Sequence, residues 1–354
     1  MRRRAWLLWT GASLIAHEAR AGTPITLPRD FGSHPAFRTE WWYLTGSLDV
    51  LGVAEPYGFQ ITFFRSRTDV PADQPSAFAA RQIVFAHAAL TDPVARKLRH
   101  DQRIARAGFG IAQASDVDTD IRLRGWTLQR EPLSSGHRYR ARIDAQGFGF
   151  ELELASTQPV LLQGDAGYSR KGPDAAQASY YLSEPQLAVR GTLTLDGRRV
   201  AASGRAWLDH EWSNSLLHPD AVGWDWVGMN LDDGGALTAF RLRRKDGTSL
   251  WAGGSLRSRD GALQVFGPDA VRFMPLRVWT SPATQARYPV HWRVETPAGT
   301  FEVRARLDAQ ELDSRASTGT VYWEGLSDLF DTQGTRVGRG YLELTGYASP
   351  LRLG

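Results

Sequence analysis

Four short stretches set carboxylates among large aromatic side chains. They are Thr39-Glu40-Trp41-Trp42-Tyr43 just after His34, Trp207-Leu208-Asp209-His210-Glu211-Trp212, Gly223-Trp224-Asp225-Trp226 and Tyr322-Trp323-Glu324-Gly325. Seven of the 13 tryptophans fall in them, so the aromatic residues are concentrated where the acids are. A carboxyl group in apolar surroundings loses the hydration of its anion, so its pKa rises and it can donate a proton near neutral pH. Aromatic faces around it would hold an apolar ligand and tolerate a cation formed on it. The chemistry implied is protonation of a hydrophobic small molecule. Asp209 is the expected acid and Asp225 its competitor, with His210 or Glu211 orienting a water. Glu40, Trp42, Tyr43, Trp207, Trp212, Trp224, Trp226, Tyr322 and Glu324 are the expected ligand contacts.

Plainer roles compete with each of these. Tryptophan on a strand ordinarily fills a core. Asp225 either joins the acid chemistry or simply caps a turn or pairs with one of the many arginines. Asp209-His210-Glu211 makes a poor metal cluster, because consecutive strand residues point to opposite faces and no second histidine pair stands at ligand spacing. No metal and no cofactor are expected. Gly167-Tyr168-Ser169-Arg170-Lys171-Gly172 has the wrong spacing for a nucleophile elbow, and no phosphate-binding or dinucleotide glycine motif is present. With 0 cysteines, disulfides, cysteine–zinc sites, iron–sulfur clusters and thiol nucleophiles are excluded.

The elements that must position these residues are short strands. Residues 40–50 and 57–65 carry aromatic and β-branched side chains around a Gly/Pro-bearing loop, and comparable runs recur at 82–91, 121–129, 139–145, 149–154, 187–195 and 199–207. Further runs follow at 225–231, 236–244, 249–257, 290–296, 299–305, 320–324 and 336–346. Turn pairs such as Asp196-Gly197, Asp233-Gly234 and Asp246-Gly247 separate them. Helical periodicity over twelve or more residues is absent. The chain reads as all-β. On a strand Glu40 and Trp42 share one face, as do Asp209 and Glu211.

An internal echo sets the domain plan. Trp41-Trp42-Tyr43-Leu44-Thr45-Gly46-Ser47-Leu48-Asp49 aligns with Trp224-Asp225-Trp226-Val227-Gly228-Met229-Asn230-Leu231-Asp232, and Ile61-Thr62-Phe63-Phe64-Arg65 with Leu237-Thr238-Ala239-Phe240-Arg241. Two antiparallel β-barrel domains in tandem would explain the repeat and hide the sheet edges. The expected boundaries are a signal peptide at 1–21, an N-terminal barrel at 22–205 and a C-terminal barrel at 206–354.

Arg2, Arg3 and Arg4, a twelve-residue apolar run over 5–16 and Ala19-Arg20-Ala21 form the three regions of an export signal. The run is too short to span a bilayer, which takes about 20 residues. Removing residues 1–21 lowers the formal net charge from +4 to +1, which leaves no electrostatic footprint for nucleic acid. The expected mature chain is periplasmic or secreted, has no stable membrane span, and meets a lipophilic small molecule as its partner.

The same clusters resemble the AttH-like and carotenoid 1,2-hydratase (hydroxyneurosporene synthase) superfamily. The resemblance is carried by Gly32-Ser33-His34-Pro35, Glu40 to Gly46, Gly58 to Arg65, Asp209-His210-Glu211-Trp212, Gly223-Trp224-Asp225-Trp226, Tyr322-Trp323-Glu324-Gly325 and Gly340 to Gly346. It implies two lipocalin-like antiparallel β-barrel domains. It implies as well a cofactor-free hydratase or lyase acting on an isoprenoid-like double bond. The alternative from another class is a non-catalytic carrier of an apolar ligand. Members are also labelled predicted secreted hydrolases, although no hydrolytic nucleophile is recognisable here.

Overall fold

The computed structural model describes residues 23–351 apart from 72, 77 and 216, so the expected signal peptide at 1–21 lies outside the described residues. Among them there is no α-helix, only a 3-10 turn at Arg29–Phe31. All else is strand and turn, arranged in two antiparallel sheets of 13 and 10 strands. Each curls into a lipocalin-like barrel.

Both barrels follow one plan. In the first, Thr39–Val50 lies between the next strand, Tyr57–Arg67, and the domain's last strand, Arg198–Ser213. In the second, Ala221–Leu231 lies between its next strand, Ala236–Arg244, and the domain's last strand, Arg336–Leu344. The echo seen in the sequence is therefore a repeat of topology. Its register differs by two residues on the second strand: Trp41 pairs with Phe64, but Trp224 pairs with Leu242 rather than Phe240. A shift of two preserves which face each residue takes. Each barrel also buries an acid against the arginine opposite it, Glu40 with Arg65 and Asp225 with Arg241.

The first sheet runs on to Ser213, past the boundary expected at 205/206. The strand Arg198–Ser213 stays paired along its whole length, on one side with Ala178–Leu195 and on the other with Thr39–Val50. Its polar stretch Asp209-His210-Glu211 is fully strand, because its side chains find buried partners on both faces.

Among the described residues the three largest apolar clusters hold the molecule. Trp42, Leu44, Phe59, Ile61, Phe63 and Trp126 belong to the filling of the first barrel. Val227, Met229, Trp292, Trp323 and Leu342 do the same in the second. A third cluster lies between them and draws on both: Tyr43 and Trp207 from the first barrel, Trp226, Phe240, Leu326 and Tyr341 from the second. The central strands thus bury both faces, which explains why they read as nearly continuous apolar runs. Gly58 permits the close approach, since a Cβ there would stand 2.8 Å from the Leu326 Cβ and the Tyr341 hydroxyl. Polar clamps add to it: Gln186 N–H donates to Asn230 Oδ1 at 2.7 Å, Thr91 Oγ1 donates to Gln310 Oε1 at 2.6 Å, and His87 Nδ1 meets the Tyr322 hydroxyl at 2.8 Å.

Candidate functional site in the cavity between the barrels

Alternation along the central strands sends every second side chain out of its own barrel and toward the other. Thr39, Trp41 and Tyr43 do so from one strand, Asp209 and Glu211 from its neighbour, and Trp224 and Trp226 from the second barrel. Together with Tyr322, Glu324 and Glu343 they enclose a cavity of about 520 Å³. That is the size and lining of a small-molecule site, mostly aromatic with a few convergent polar groups. Gly228 makes room for one wall, since a Cβ there would lie 2.3 Å from the Trp226 indole.

Asp209 is the most constrained acid in the wall. Tyr181 donates its hydroxyl to Oδ2 at 2.8 Å, while Ser183 at 2.5 Å and the Trp207 indole N–H at 2.6 Å donate to Oδ1. Burial outweighs these three donors and, with the nearby Glu211 charge, pushes its pKa up to about 7. Glu211, two residues on, accepts from Ser179 at 2.5 Å and pairs with Lys171 Nζ at 3.1 Å. That ammonium also sits over the Tyr181 and Phe240 rings, at 4.6 and 4.3 Å. Across the cavity Glu324 and Glu343 stand directly opposite each other on paired strands. Burial raises Glu343 to about 7, helped by the charges of Asp209 and Glu211 and opposed by the Trp224 N–H, which donates at 3.0 Å. Glu324 is pushed well above its ordinary range by burial and by Glu343.

The expected site residues divide by face. Asp209, Glu211, Tyr43, Trp224, Trp226, Tyr322 and Glu324 border the cavity, and Trp207 braces Asp209 from beside it. Glu40, Trp42, His210 and Trp212 point the other way, into the first barrel's own network. There Glu40 accepts from Arg65 Nε at 2.7 Å and meets His34 Nδ1 at 2.7 Å and His210 Nε2 at 2.9 Å. Trp212 stacks on His34 and Trp42 on His210. His210 is therefore not placed to orient a water beside Asp209, because neighbours on a strand face opposite ways. Asp225 likewise turns into the second barrel, where Arg241 Nε at 2.7 Å and the Tyr347 hydroxyl at 2.8 Å hold it.

His34, Glu40 and His210 bring three metal-capable atoms within 4.8 Å of one another. They do not suit a cation. The atoms already hydrogen-bond within the trio, and the Arg65 guanidinium, 2 % exposed, occupies the other carboxylate oxygen. Burial alone would raise the Glu40 pKa, but hydrogen bonds from both histidines and the charges of His210 and Arg65 hold it below the usual carboxylate range.

Sequence reasoning did not single out Glu343, Tyr181, Ser183 or Lys171. Glu343 lies within a segment that carried the family resemblance, and alternation with Tyr341 and Thr345 would have put it on one face with them. Lys171 and Tyr181 reach the site through pairings that local sequence does not show.

These opposed pKa shifts set a stability window. Asp209 and Glu343 are raised in the folded protein, so their contribution is complete below their ordinary values of 3.8 and 4.5 and is lost as pH rises through about 7. Glu40 is lowered, so its contribution is present above 4.5 and fades as pH falls below that. The melting temperature is expected to be highest near pH ~4–5 and to fall from there as pH rises toward ~8. Asp209→Asn should flatten that alkaline limb, as calorimetry across pH would show. A wild-type curve rising through neutral pH would contradict the assignment.

Two lipocalin-like barrels sharing an acid-lined, aromatic cavity define the class of fold. Within that class the chain belongs to the AttH-like family, whose model matches residues 18–347. It is 48% identical to an AttH homologue from Nitrosomonas europaea, covering 92% of this chain and 98% of that one, with a TM-score of 0.85. The fold is also that of kievitone hydratase from Nectria haematococca, at 15% identity over 94% and 95% of the two chains and a TM-score of 0.68. CghA with Sch210972 shares it at 16% identity over 87% and 89%, with a TM-score of 0.51. No curated protein matches the chain.

Proposed function

We propose that this protein is a cofactor-free hydratase, or a related lyase, that protonates a double bond of a lipophilic, isoprenoid-like molecule held between the barrels. The observation that carries the reading is Asp209, a buried carboxyl with its pKa near 7 in the wall of an aromatic cavity. Half of such groups are protonated at neutral pH, which is where a general acid works best. Trp224 and Trp226 in the same wall offer ring faces worth roughly 0.5–2 kcal/mol each to a passing carbocation. A hydratase of the same fold supports the reaction class. The proposal includes export, with residues 1–21 removed as a leader.

The carrier reading has its own support: three donors fix Asp209 in place as firmly as a purely structural acid. One experiment separates the two. Ligand is extracted from protein purified from its native host, identified by mass spectrometry, and returned to the protein in heavy-oxygen water. A hydratase adds one labelled water to it. Ligand recovered unchanged means a carrier. The intact mass of the same material should begin near Gly22, and a species still bearing residues 1–21 would refute export.

A further inference from the structure

Hydration needs a base as well as an acid, and the geometry narrows where it can be. His210 faces the wrong way, and Glu211 is committed to Lys171 and Ser179. The remaining carboxylates in the wall are Glu324 and Glu343. They face each other on adjacent strands, and neither has an ion-pair partner among the described residues. Burial, and after it the charge of Glu343, disfavours the Glu324 anion, so the proton stays on Glu324. Glu324 is 2 % exposed, and the Tyr43 hydroxyl faces its carboxyl from the same cavity wall.

We propose that Glu324 and Glu343 share one proton and form the second acid–base station of the cavity, with Glu343 as the acceptor of the proton released by the attacking water. The proposal rests on the hydratase reading above. The groups facing the pair are Tyr43, Tyr322, Tyr341 and Trp224, with Asp209 and Glu211 in electrostatic reach. Glu324 remains protonated and presents a donor. Glu343 keeps its anion partly stabilised by the Trp224 N–H.

The steps close. The π pair of the alkene forms a C–H bond with the Asp209 proton, leaving the Asp209 carboxylate and a tertiary carbocation. A water lone pair then forms the C–O bond, and the resulting oxonium gives one proton to Glu343. Glu343 returns that proton to Asp209, so the net change is alkene plus water to tertiary alcohol.

The test has one arm that needs no ligand. In full-length protein with isotope-labelled glutamate, carboxyl NMR should show two glutamates titrating above the usual range, where an ordinary one titrates near 4.3. Glu343→Gln should remove the step nearer neutrality and lower the upper one, because its neighbour no longer meets a like charge. Both glutamates titrating below pH ~5 would overturn the shared proton. In the second arm, Glu343→Gln should bind the extracted ligand as the wild type does but hydrate it about 10²–10⁴-fold more slowly. Formate should restore part of the rate to Glu343→Ala, a rescue that a merely structural role would not give. Wild-type hydration by Glu343→Gln would overturn the acceptor role and leave the hydratase reading standing. A wild type that leaves the ligand unhydrated overturns both, whatever the titration shows of the pair.

Discussion

Asp209→Asn is expected to keep the fold and the ligand and to lose about 10²–10⁴-fold of turnover, the usual contribution of a general acid. Asparagine matches the shape: its Oδ1 can still accept from Ser183 and Trp207, and its amide N–H can donate to the Tyr181 hydroxyl oxygen, so the wall around it has no reason to collapse. It has no acidic proton to give. Wild-type turnover should fall as pH rises through about 7, where Asp209 loses its proton, and the residual activity of the variant should lack that limb. Stopped-time mass spectrometry in heavy-oxygen water measures both. Trp226→Ala differs in kind: it removes an aromatic wall, so binding and turnover should weaken together. Full turnover by Asp209→Asn would move the proton donor elsewhere in the cavity, with Glu343 the first candidate because its pKa is raised to a similar value.

How far the site was legible depends on what local patterning can carry. Period-two alternation suffices to group Asp209 with Glu211 and Trp224 with Trp226, and both pairs do share a face. It does not say which face meets the cavity. Ordinarily hydropathy answers that, since one face of a strand is wet. Here the central strands bury one face in their own barrel and the other against its partner, so Glu40 and Asp209 look alike in sequence while lying on opposite sides. The polar run at Asp209-His210-Glu211 misleads in a related way. The boundary expected at 205/206 lies just before it, yet buried partners on both faces carry the strand to Ser213. Lys97–Arg106 and Arg272–Thr280 were missed as strands for the reverse reason, because both lie toward the outside of their sheets and their charged or exposed residues hide the alternation. The tandem plan was the most readable feature. It repeats as sequence, as strand order and as a buried acid–arginine pair in each barrel.

That pair in the first barrel gives the largest expected effect on stability. Glu40 is fully buried and accepts from Arg65 at 2.7 Å, from the backbone N–H of His34 at 2.9 Å, and lies within hydrogen-bond distance of both imidazoles. Glu40→Gln keeps the volume but removes the charge that the Arg65 guanidinium faces. Breaking one side of a buried ion pair costs about 3–5 kcal/mol, because the other charge is left without compensation. At roughly 2–4 °C per kcal/mol for a domain of this size, the melting temperature of the first barrel should fall by about 6–20 °C. The remaining contacts of Arg65 go to the carbonyls of His34 and Phe37 and to Gln82, which are neutral. Replacing both partners, as in Glu40→Gln with Arg65→Met, should recover much of the loss, since a buried pair exchanged for neutral groups of similar volume is often close to neutral overall. The recovery is what distinguishes an uncompensated charge from a cavity or a packing defect, which the second substitution would deepen. A single variant that loses less than about 1 kcal/mol would mean the three neutral acceptors already satisfy Arg65. Because Glu40 faces away from the cavity, the same variant examined well below its melting point should bind the extracted ligand as the wild type does.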